Sequence, residues 1–308
     1  MNKKISILIP VYNEERNIKP LYDRLEKVMN KEKYDYEILF VDDGSRDNTE
    51  KEIEKLHKKN RKVRLIVFSK NYGKADAMQA GFDSANGDVI ITMDGDLQDL
   101  PEEIPSFLKE IGKSDLVVGW RYKRHDKFLK KVPSLIFNNL ARFLIGLKIH
   151  DANCGFKAMK KEVARNIEMY GELHRYLPAL AHVKGYKVSE IKIKHAERLH
   201  GKTKYGANRM VRGFFDLLTV KFLSSFAKKP FHFFGGLGLF SFLIGFVIGS
   251  WLFILWLLTG TIGGHTPAAI FSMLLIILGI QLISLGLLGE MIASIKSKEK
   301  SYNIKRKL

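Results

Sequence analysis

Two stretches near the end of the chain carry no Asp, Glu, Lys or Arg: residues 231–258 and 268–289. Each exceeds the ~20 apolar residues with which a helix crosses the hydrocarbon core of a bilayer. This limits the possible folds severely, because in lipid every backbone N–H and C=O must find its partner within helices or closed barrels. Two buried core helices are the alternative, and length without charge argues against them. Trp251 and Trp256 lie toward the far end of the first stretch, where amphipathic rings suit an interface. Lys228 and Lys229 precede the first stretch, and Lys296, Lys298, Lys300, Lys305, Arg306 and Lys307 follow the second. The connector between them has no charge apart from that available to His265. Lys and Arg stay on the cytoplasmic side. The expectation is an integral membrane protein with two spans forming a hairpin, its large N-terminal part and its tail both cytoplasmic. Met1-Asn2-Lys3-Lys4 runs straight into a strand-like segment, so no signal peptide is expected.

The formal charge is +18 over 308 residues. Beside two spans, its natural partner is an anionic membrane surface, which attracts basic segments at about 1 kcal/mol per Lys or Arg. Nucleic acid would also suit a basic chain. The basic residues are spread along the sequence without a reader motif, so no nucleic-acid partner is expected. Cys154 is the single cysteine; it allows neither an internal disulfide nor a cysteine metal cage, and reads as a small buried hydrophobe.

Ahead of the spans, strand and helix signals alternate. Apolar runs at 5–9, 36–41, 63–68, 88–93 and 115–118 are separated by helical patterns at 14–30, 48–59, 74–85 and 101–111. Repeated βαβ units predict an α/β, Rossmann-like domain with a mostly parallel sheet and helices on both faces. Such a scaffold suits a nucleotide without assigning a function. No Gly-x-Gly-x-x-Gly follows the first strand, where Pro10-Val11-Tyr12-Asn13-Glu14 stands, so NAD is not expected. Gly201-Lys202-Thr203 imitates the end of a Walker A loop, but Ala196 occupies the place of its first glycine. Two further segments, 128–149 and 207–226, mix Lys and Arg with Phe, Leu and Ile. They read as amphipathic helices in the headgroup plane, or as ordinary surface helices packed on the protein.

Asp94-Gly95-Asp96 follows the apolar run 89–93, with Leu97-Gln98-Asp99 after it. Ligands of open α/β sheets gather at the carboxyl ends of strands. Two carboxylates one residue apart there can share a hard divalent cation that also holds a diphosphate. The plainer reading is an acidic turn, for which Asp-Gly is a common dipeptide.

Four segments widen the view: Pro10-Val11-Tyr12-Asn13-Glu14-Glu15, Val41-Asp42-Asp43-Gly44-Ser45, Asn71-Tyr72-Gly73-Lys74 and Asp94 to Asp99. With them the chain resembles the inverting family 2 glycosyltransferases. More narrowly it is similar to the polyprenyl-phosphate glycosyltransferases, the dolichol-phosphate-mannose-synthase-like group. Asp151-Ala152-Asn153-Cys154-Gly155-Phe156-Lys157, Glu172-Leu173-His174-Arg175-Tyr176 and the run from Arg198 to Tyr205 match that group too, so the resemblance covers essentially the whole chain. It implies a GT-A catalytic domain at 1–206, an interfacial amphipathic helix at 207–229, a transmembrane hairpin at 230–290 and a basic cytoplasmic tail at 291–308. It also implies transfer of one sugar from a nucleotide-sugar, a UDP-sugar by analogy with bacterial-type members, to polyprenyl phosphate.

The site residues follow from the resemblance and from the chemistry together. Pro10, Tyr12, Glu14 and Asp42 would line the nucleobase and ribose, although Pro10 and Tyr12 also fit strand-end packing, and Asp42 and Asp43 a turn. A diphosphate leaving group must be neutralised by metal or by Lys and Arg. Asp94, Asp96 and Gln98 can offer oxygen to Mg²⁺ or Mn²⁺, with Gly95 between them and Lys74 and Arg198 as diphosphate contacts. Arg121, Lys130, Lys131, Ser134 and Arg175 are the candidates for the acceptor phosphate. A phosphate monoester has a second pKa of about 6 and is already a nucleophile at neutral pH. Asp96, Asp151 and Arg198 are the residues nearest the chemistry. Asp151 either orients a substrate or caps the following segment; His174 is either a sugar contact or a structural histidine. Gly245-Phe246-Val247-Ile248-Gly249 gives a small-residue face suited to helix packing or to a homo-oligomer.

Two rival readings remain. A processive polysaccharide synthase shares the acidic motifs, but its Gln-x-x-Arg-Trp signature is missing. A silent nucleotide-sugar-binding scaffold would not need Asp94, Asp96, Lys74 and Arg198 intact.

Overall fold

The structure is a computed structural model that describes residues 3–122, 149–169, 173–194, 196 and 229–296. The two basic amphipathic segments, apart from the last residue of the first, lie outside these residues, as do Lys130, Lys131, Ser134, Arg198 and the tail beyond 296. The chain divides into two units, residues 1–220 and 221–308.

The first unit is built on a seven-stranded sheet in the order β3-β2-β1-β4-β6-β5-β7. The strands are β1 (Ile5–Val11), β2 (Tyr36–Asp42), β3 (Val63–Val67), β4 (Val89–Thr92), β5 (Leu116–Arg121), β6 (Lys157–Lys160) and β7 (Val188–Ile193). All neighbours are parallel except β6, which runs antiparallel between β4 and β5. Every residue of β2 and β4 is buried, as an interior strand covered on both faces requires. Helix α1 (Glu15–Lys31) buries Ile18, Leu21, Tyr22, Leu25 and Met29, the three- and four-residue spacing of one helix face. Helices α2 (Thr49–Lys59), α3 (Lys74–Ser84) and α4 (Ile104–Glu110) complete the βα alternation read from the sequence.

The sequence reading stopped short of β6 and β7. Strand β6 is four residues long with Lys at both ends, and β7 mixes polar and apolar residues along one edge of the sheet. Neither carries the continuous apolar run of a central strand. The insertion of β6 has a consequence for function: its antiparallel register sets Lys157 opposite Thr92, beside the acidic motif that ends β4.

The second unit is a helical hairpin, Pro230–Thr259 and Thr266–Lys296. The first helix ends on Gly260 in the left-handed conformation, whose N–H bonds the Trp256 carbonyl at 2.8 Å. The two helices meet along a seam of small residues. Gly238 and Gly279 face each other so closely that a Cβ on either would lie 2.7 Å from the other's carbonyl oxygen. Ser241 Oγ donates to the Leu275 carbonyl at 2.9 Å, and Ser272 Oγ to the Gly245 carbonyl at 2.7 Å. The face bearing Gly245 and Gly249 is thus engaged inside the hairpin against Ser272. Phe240, Phe246, Val247, Phe253, Leu257 and Leu258 all point outward. Only 11% of the most apolar stretch of each helix is buried, unlike the mostly buried core helix of a soluble domain, which fits a protein with two membrane spans.

Candidate active site

The site residues of the first unit gather where strands β1, β2 and β4 end. Residues Val11 and Asp42 are register partners, so the loops after β1 and β2 leave the sheet side by side. Pro10 and Tyr12 are half-buried at the first of these ends. Asn13, at φ +54°, ties the loops together: its N–H donates to Ser45 Oγ at 2.9 Å, and its Oδ1 accepts from the Arg46 N–H at 2.8 Å. Glu14 accepts a hydrogen bond from Asn17 Nδ2 at 2.6 Å, in the first turn of α1. The buried Asp42 accepts two bonds on Oδ1, from the Ser45 N–H at 2.9 Å and its hydroxyl at 2.5 Å. Its Oδ2 is buried and has no hydrogen-bond partner among the described residues. A buried acceptor left in that state costs about 1–3 kcal/mol, which a ligand N–H would recover.

Asp43, treated in the sequence only as half of a turn doublet, has a defined task. Its carboxylate accepts from the Tyr72 N–H at 2.7 Å, the Gly73 N–H at 2.9 Å and Asn71 Nδ2 at 2.9 Å. Burial pushes its pKa up, partly offset by those N–H donors. The clamp fixes the turn that delivers Lys74, the first residue of α3.

Lys74 Nζ bonds Asp94 Oδ1. Asp94 is half-exposed and its pKa stays below the usual carboxylate range: Lys74 outweighs the effect of burial, with Lys157 and Arg121 adding to it. Asp96 is buried at 7% exposure, and its Oδ1 accepts the Gln98 N–H at 3.2 Å across Leu97. Leu97 itself sits at φ +63°, a strained conformation for a branched residue, held because its side chain is buried. Gln98 is tied to Ala196 both ways: Ala196 N–H donates to its carbonyl at 3.0 Å, and Gln98 Nε2 to the Ala196 carbonyl at 3.4 Å. Asp99 supports the motif from below, accepting the Asp94 N–H at 3.1 Å, and burial with Asp94 and Asp96 nearby raises its pKa to about 7.

The segment from Asp151 to Lys157 packs against this motif. A Cβ on Gly155 would lie 2.6–2.9 Å from the Asp94 carboxylate, so any side chain there must push that carboxylate aside. Thr92 Oγ1 holds the Gly155 carbonyl at 2.8 Å. Lys157 is buried with its ammonium on the Cys154 carbonyl, and burial lowers its pKa to about 8. Cys154 is a buried thiol whose pKa burial raises to about 12. Arg121 and Asp151 form a two-pronged ion pair, Nε to Oδ2 at 2.7 Å and Nη2 to Oδ1 at 3.0 Å. Two residues proposed for different tasks are therefore each other's partner, and the pair raises the arginine's pKa further.

His174 and Arg175 lie half-buried in the short 3₁₀ turn Leu173–Tyr176. Burial and the charges of Lys74, Arg175 and Lys157 push the His174 pKa down to about 3, so the imidazole is neutral. Its Nδ1 is buried with no hydrogen-bond partner among the described residues. Asp43, Asp99, Gly155 and Lys157 were not singled out as site residues in the sequence. The doublet Asp42-Asp43 and the motif that ends in Lys157 were the signals that pointed at them.

Residues 6–168 match the family described as glycosyl transferase family 2. The dodecaprenyl-phosphate galacturonate synthase of Rhizobium johnstonii is 37% identical over 94% of this chain and 88% of its own length. The chain belongs to the family 2 glycosyltransferases. Within them it is akin to polyprenyl-phosphate sugar transferases: the undecaprenyl-phosphate 4-deoxy-4-formamido-L-arabinose transferase of Shewanella sediminis is 36% identical over 95% of this chain and 88% of that protein. Among solved structures, the mannosyl-3-phosphoglycerate synthase of Rubrobacter xylanophilus superposes with a TM-score of 0.58 at 16% identity, covering 71% of this chain and 74% of that one. The glucosyl-3-phosphoglycerate synthase of Mycobacterium tuberculosis, in complex with Mn²⁺ and UDP-glucose, gives 0.56 at 17% identity, covering 71% and 79%. These structural likenesses establish the GT-A fold. This glycosyltransferase is a membrane enzyme with two candidate spans behind its family 2 domain.

Proposed function

We propose that this glycosyltransferase moves one sugar, with inversion, from a UDP-sugar to polyprenyl phosphate at the cytoplasmic face of a membrane. The observation that carries the proposal is the Lys74–Asp94 pair in the acidic motif with Asp96, at the carboxyl end of β4, in a chain that also carries an apolar helical hairpin. The relatives' acceptors, dodecaprenyl and undecaprenyl phosphate, support the lipid; residues 1–206 would be the catalytic domain and 207–229 its contact with an anionic surface. Lys228 and Lys229 beside the first span favour the cytoplasmic orientation.

The donor set suits a hard divalent ion, Mg²⁺ or Mn²⁺. Among the described residues no cluster of three protein ligands exists. One or two carboxylates completed by substrate phosphates are what Mg²⁺ ordinarily takes, and Asp94 with Asp96 provides them; Gln98, whose side-chain bond to Ala196 uses Nε2, would add its oxygen. When bound, such an ion neutralises the charge of the departing diphosphate. Everything else falls to the chain. Asp42 Oδ2 accepts a nucleobase or ribose donor, with Pro10, Tyr12 and Glu14 around it. Gly95 packs on Val11 and sets Asp94 and Asp96 on the same loop. Lys74 and Arg198 contact the diphosphate. Neutral His174 offers Nδ1 to a sugar hydroxyl.

The acceptor phosphate needs placement but no general base. Asp151 fits that requirement because both its oxygens are committed to Arg121. It acts as the positioning residue for a guanidinium that, with Lys130, Lys131, Ser134 and Arg175, receives the phosphate.

The direct test is transfer from a panel of labelled nucleotide-sugars to undecaprenyl phosphate with Mg²⁺ or Mn²⁺, beside an Asp96→Ala control. The expected product is a labelled, mild-acid-labile lipid from one donor, lost in the control. Nucleotide binding without transfer from any donor would leave the silent scaffold as the better description.

A further inference from the structure

Gln281 is the only amide side chain in either of the two charge-free stretches. It stands opposite the seam of the hairpin. At about 100° per residue it lies roughly 200° around the helix axis from Gly279, which faces Gly238 of the first helix. Gln281 is accordingly exposed, and so is Ser284, the next residue on that face. Leu274, Ile277 and Leu288 continue the stripe at spacings of three and four, each about half-exposed. The stripe is an apolar seam with a polar centre, turned away from the helix that the chain itself provides.

Depth makes this placement costly. Gln281 sits near the middle of the run 268–289, and Glu290, the nearest charge along the helix, is about 13 Å further along the axis. A glutamine side chain does not extend that far, so the carboxamide is held in hydrocarbon. Hydrocarbon offers neither donor nor acceptor, and an amide left without a partner there is strongly disfavoured. Among the described residues none hydrogen-bonds it.

We propose that this face is the contact between two copies of the chain, which pair Gln281 with Gln281 across a two-fold axis along the membrane normal. The inference needs only that the hairpin spans a membrane. A second copy brings a carboxamide to the same depth without adjustment, because its spans insert in the same sense. A carboxamide both donates and accepts, so two of them close a pair of hydrogen bonds. A two-fold interface is self-complementary, which sets Ser284 beside its own equivalent and the apolar residues of the stripe against theirs. One polar residue within an apolar seam also fixes the register, since a slipped pairing leaves both amides in hydrocarbon. The face bearing Gly245 and Gly249 is not available for this contact, because Ser272 already occupies it within the hairpin.

The experiment uses the full-length protein in phospholipid vesicles. Copies labelled at the N-terminus with a donor or an acceptor dye are mixed, and energy transfer is followed as lipid dilutes the protein. An interhelical hydrogen bond in a membrane is worth roughly 3- to 20-fold in association. Gln281→Leu should thus weaken association by about tenfold or more, while Gln281→Asn keeps the carboxamide and should stay nearer the wild type. Leucine suits the bilayer, so Gln281→Leu inserts at least as well as the wild type. Phe240→Leu, on the outward face of the first helix, should change nothing. Copies carrying Ser284→Cys should cross-link on oxidation, whereas the wild type, with only the buried Cys154, should not. Energy transfer that Gln281→Leu leaves unchanged, or Ser284→Cys copies that fail to cross-link, overturns the proposal. A wild type that stays monomeric at every dilution overturns it as well, and assigns Gln281 to a different membrane protein.

Discussion

Arg121 and Asp151 stand thirty positions apart and are joined by two parallel hydrogen bonds, with side chains 17% and 7% exposed. The pair connects the end of β5 to the start of the segment that carries Gly155 and Lys157. Removing one partner of a buried pair strands the other charge, at about 3–5 kcal/mol. Asp151→Ala should therefore lower the melting temperature in micelles clearly, while Arg121→Met with Asp151→Leu should recover part of the loss. The acceptor KM should rise in Asp151→Ala without a new inflection in the pH–rate profile. A stable Asp151→Ala that loses activity together with the acid limb of the pH–rate profile would make Asp151 a general base.

Gly155 has no room for a side chain beside Asp94. Gly155→Ala should displace that carboxylate by a few tenths of an ångström or more, and a displacement on the scale of an ångström costs on the order of 100-fold in rate. The expected result is lost metal-supported transfer with a circular dichroism spectrum like that of the wild type. Full activity in Gly155→Ala would mean that Asp94 does not need its observed position.

His174 stays neutral across the physiological range because its pKa lies near 3. The pH–rate profile from pH 5.5 to 8 should thus lack a histidine inflection, and His174→Ala should keep the same profile. If the ring contacts a sugar hydroxyl, His174→Ala raises donor KM by roughly 5- to 10-fold, the worth of one hydrogen bond of about 1 kcal/mol, and His174→Gln recovers part of it. An inflection near pH 6.5 that vanishes in His174→Ala would contradict the neutral assignment.

Glu37 gives a pH-dependent stability that is separate from the chemistry. It is buried and accepts from Ser6 Oγ at 2.5 Å, the Asn86 N–H at 2.7 Å and Arg64 Nη1 at 2.8 Å. Burial alone would raise its pKa, but these donors outweigh it and the net shift is downward. A carboxylate with a depressed folded pKa contributes stability above its unfolded value of about 4.3 and loses it as pH falls through the folded value. Glu37→Gln should melt below the wild type at pH 7, with the gap closing under acid conditions. Equal melting temperatures at pH 7 would contradict this.

The hairpin seam predicts a further effect. Gly279→Leu would drive a side chain into the Gly238 carbonyl and the Phe242 backbone. Overpacking of this kind costs about 1–3 kcal/mol or more, to be seen as a lower thermal aggregation point in micelles. Leu278→Ala, on the exposed face of the same helix, should have little effect.

The sequence by itself determined the βα alternation up to β5, the two apolar spans and the motifs that end β1, β2 and β4. Each is a local signal, a periodicity or a charge-free run that short segments impose on themselves whatever surrounds them. Tertiary structure decided the rest. It set β6 antiparallel between β4 and β5, and so brought Lys157 and Gly155 beside Asp94. It joined Arg121 to Asp151 and Lys74 to Asp94, and it turned the Gly245 face inward against Ser272. Those are contacts between residues twenty or more positions apart. Which partner a side chain meets at such a distance depends on how the sheet orders its strands and how two helices fit, and no local pattern encodes either.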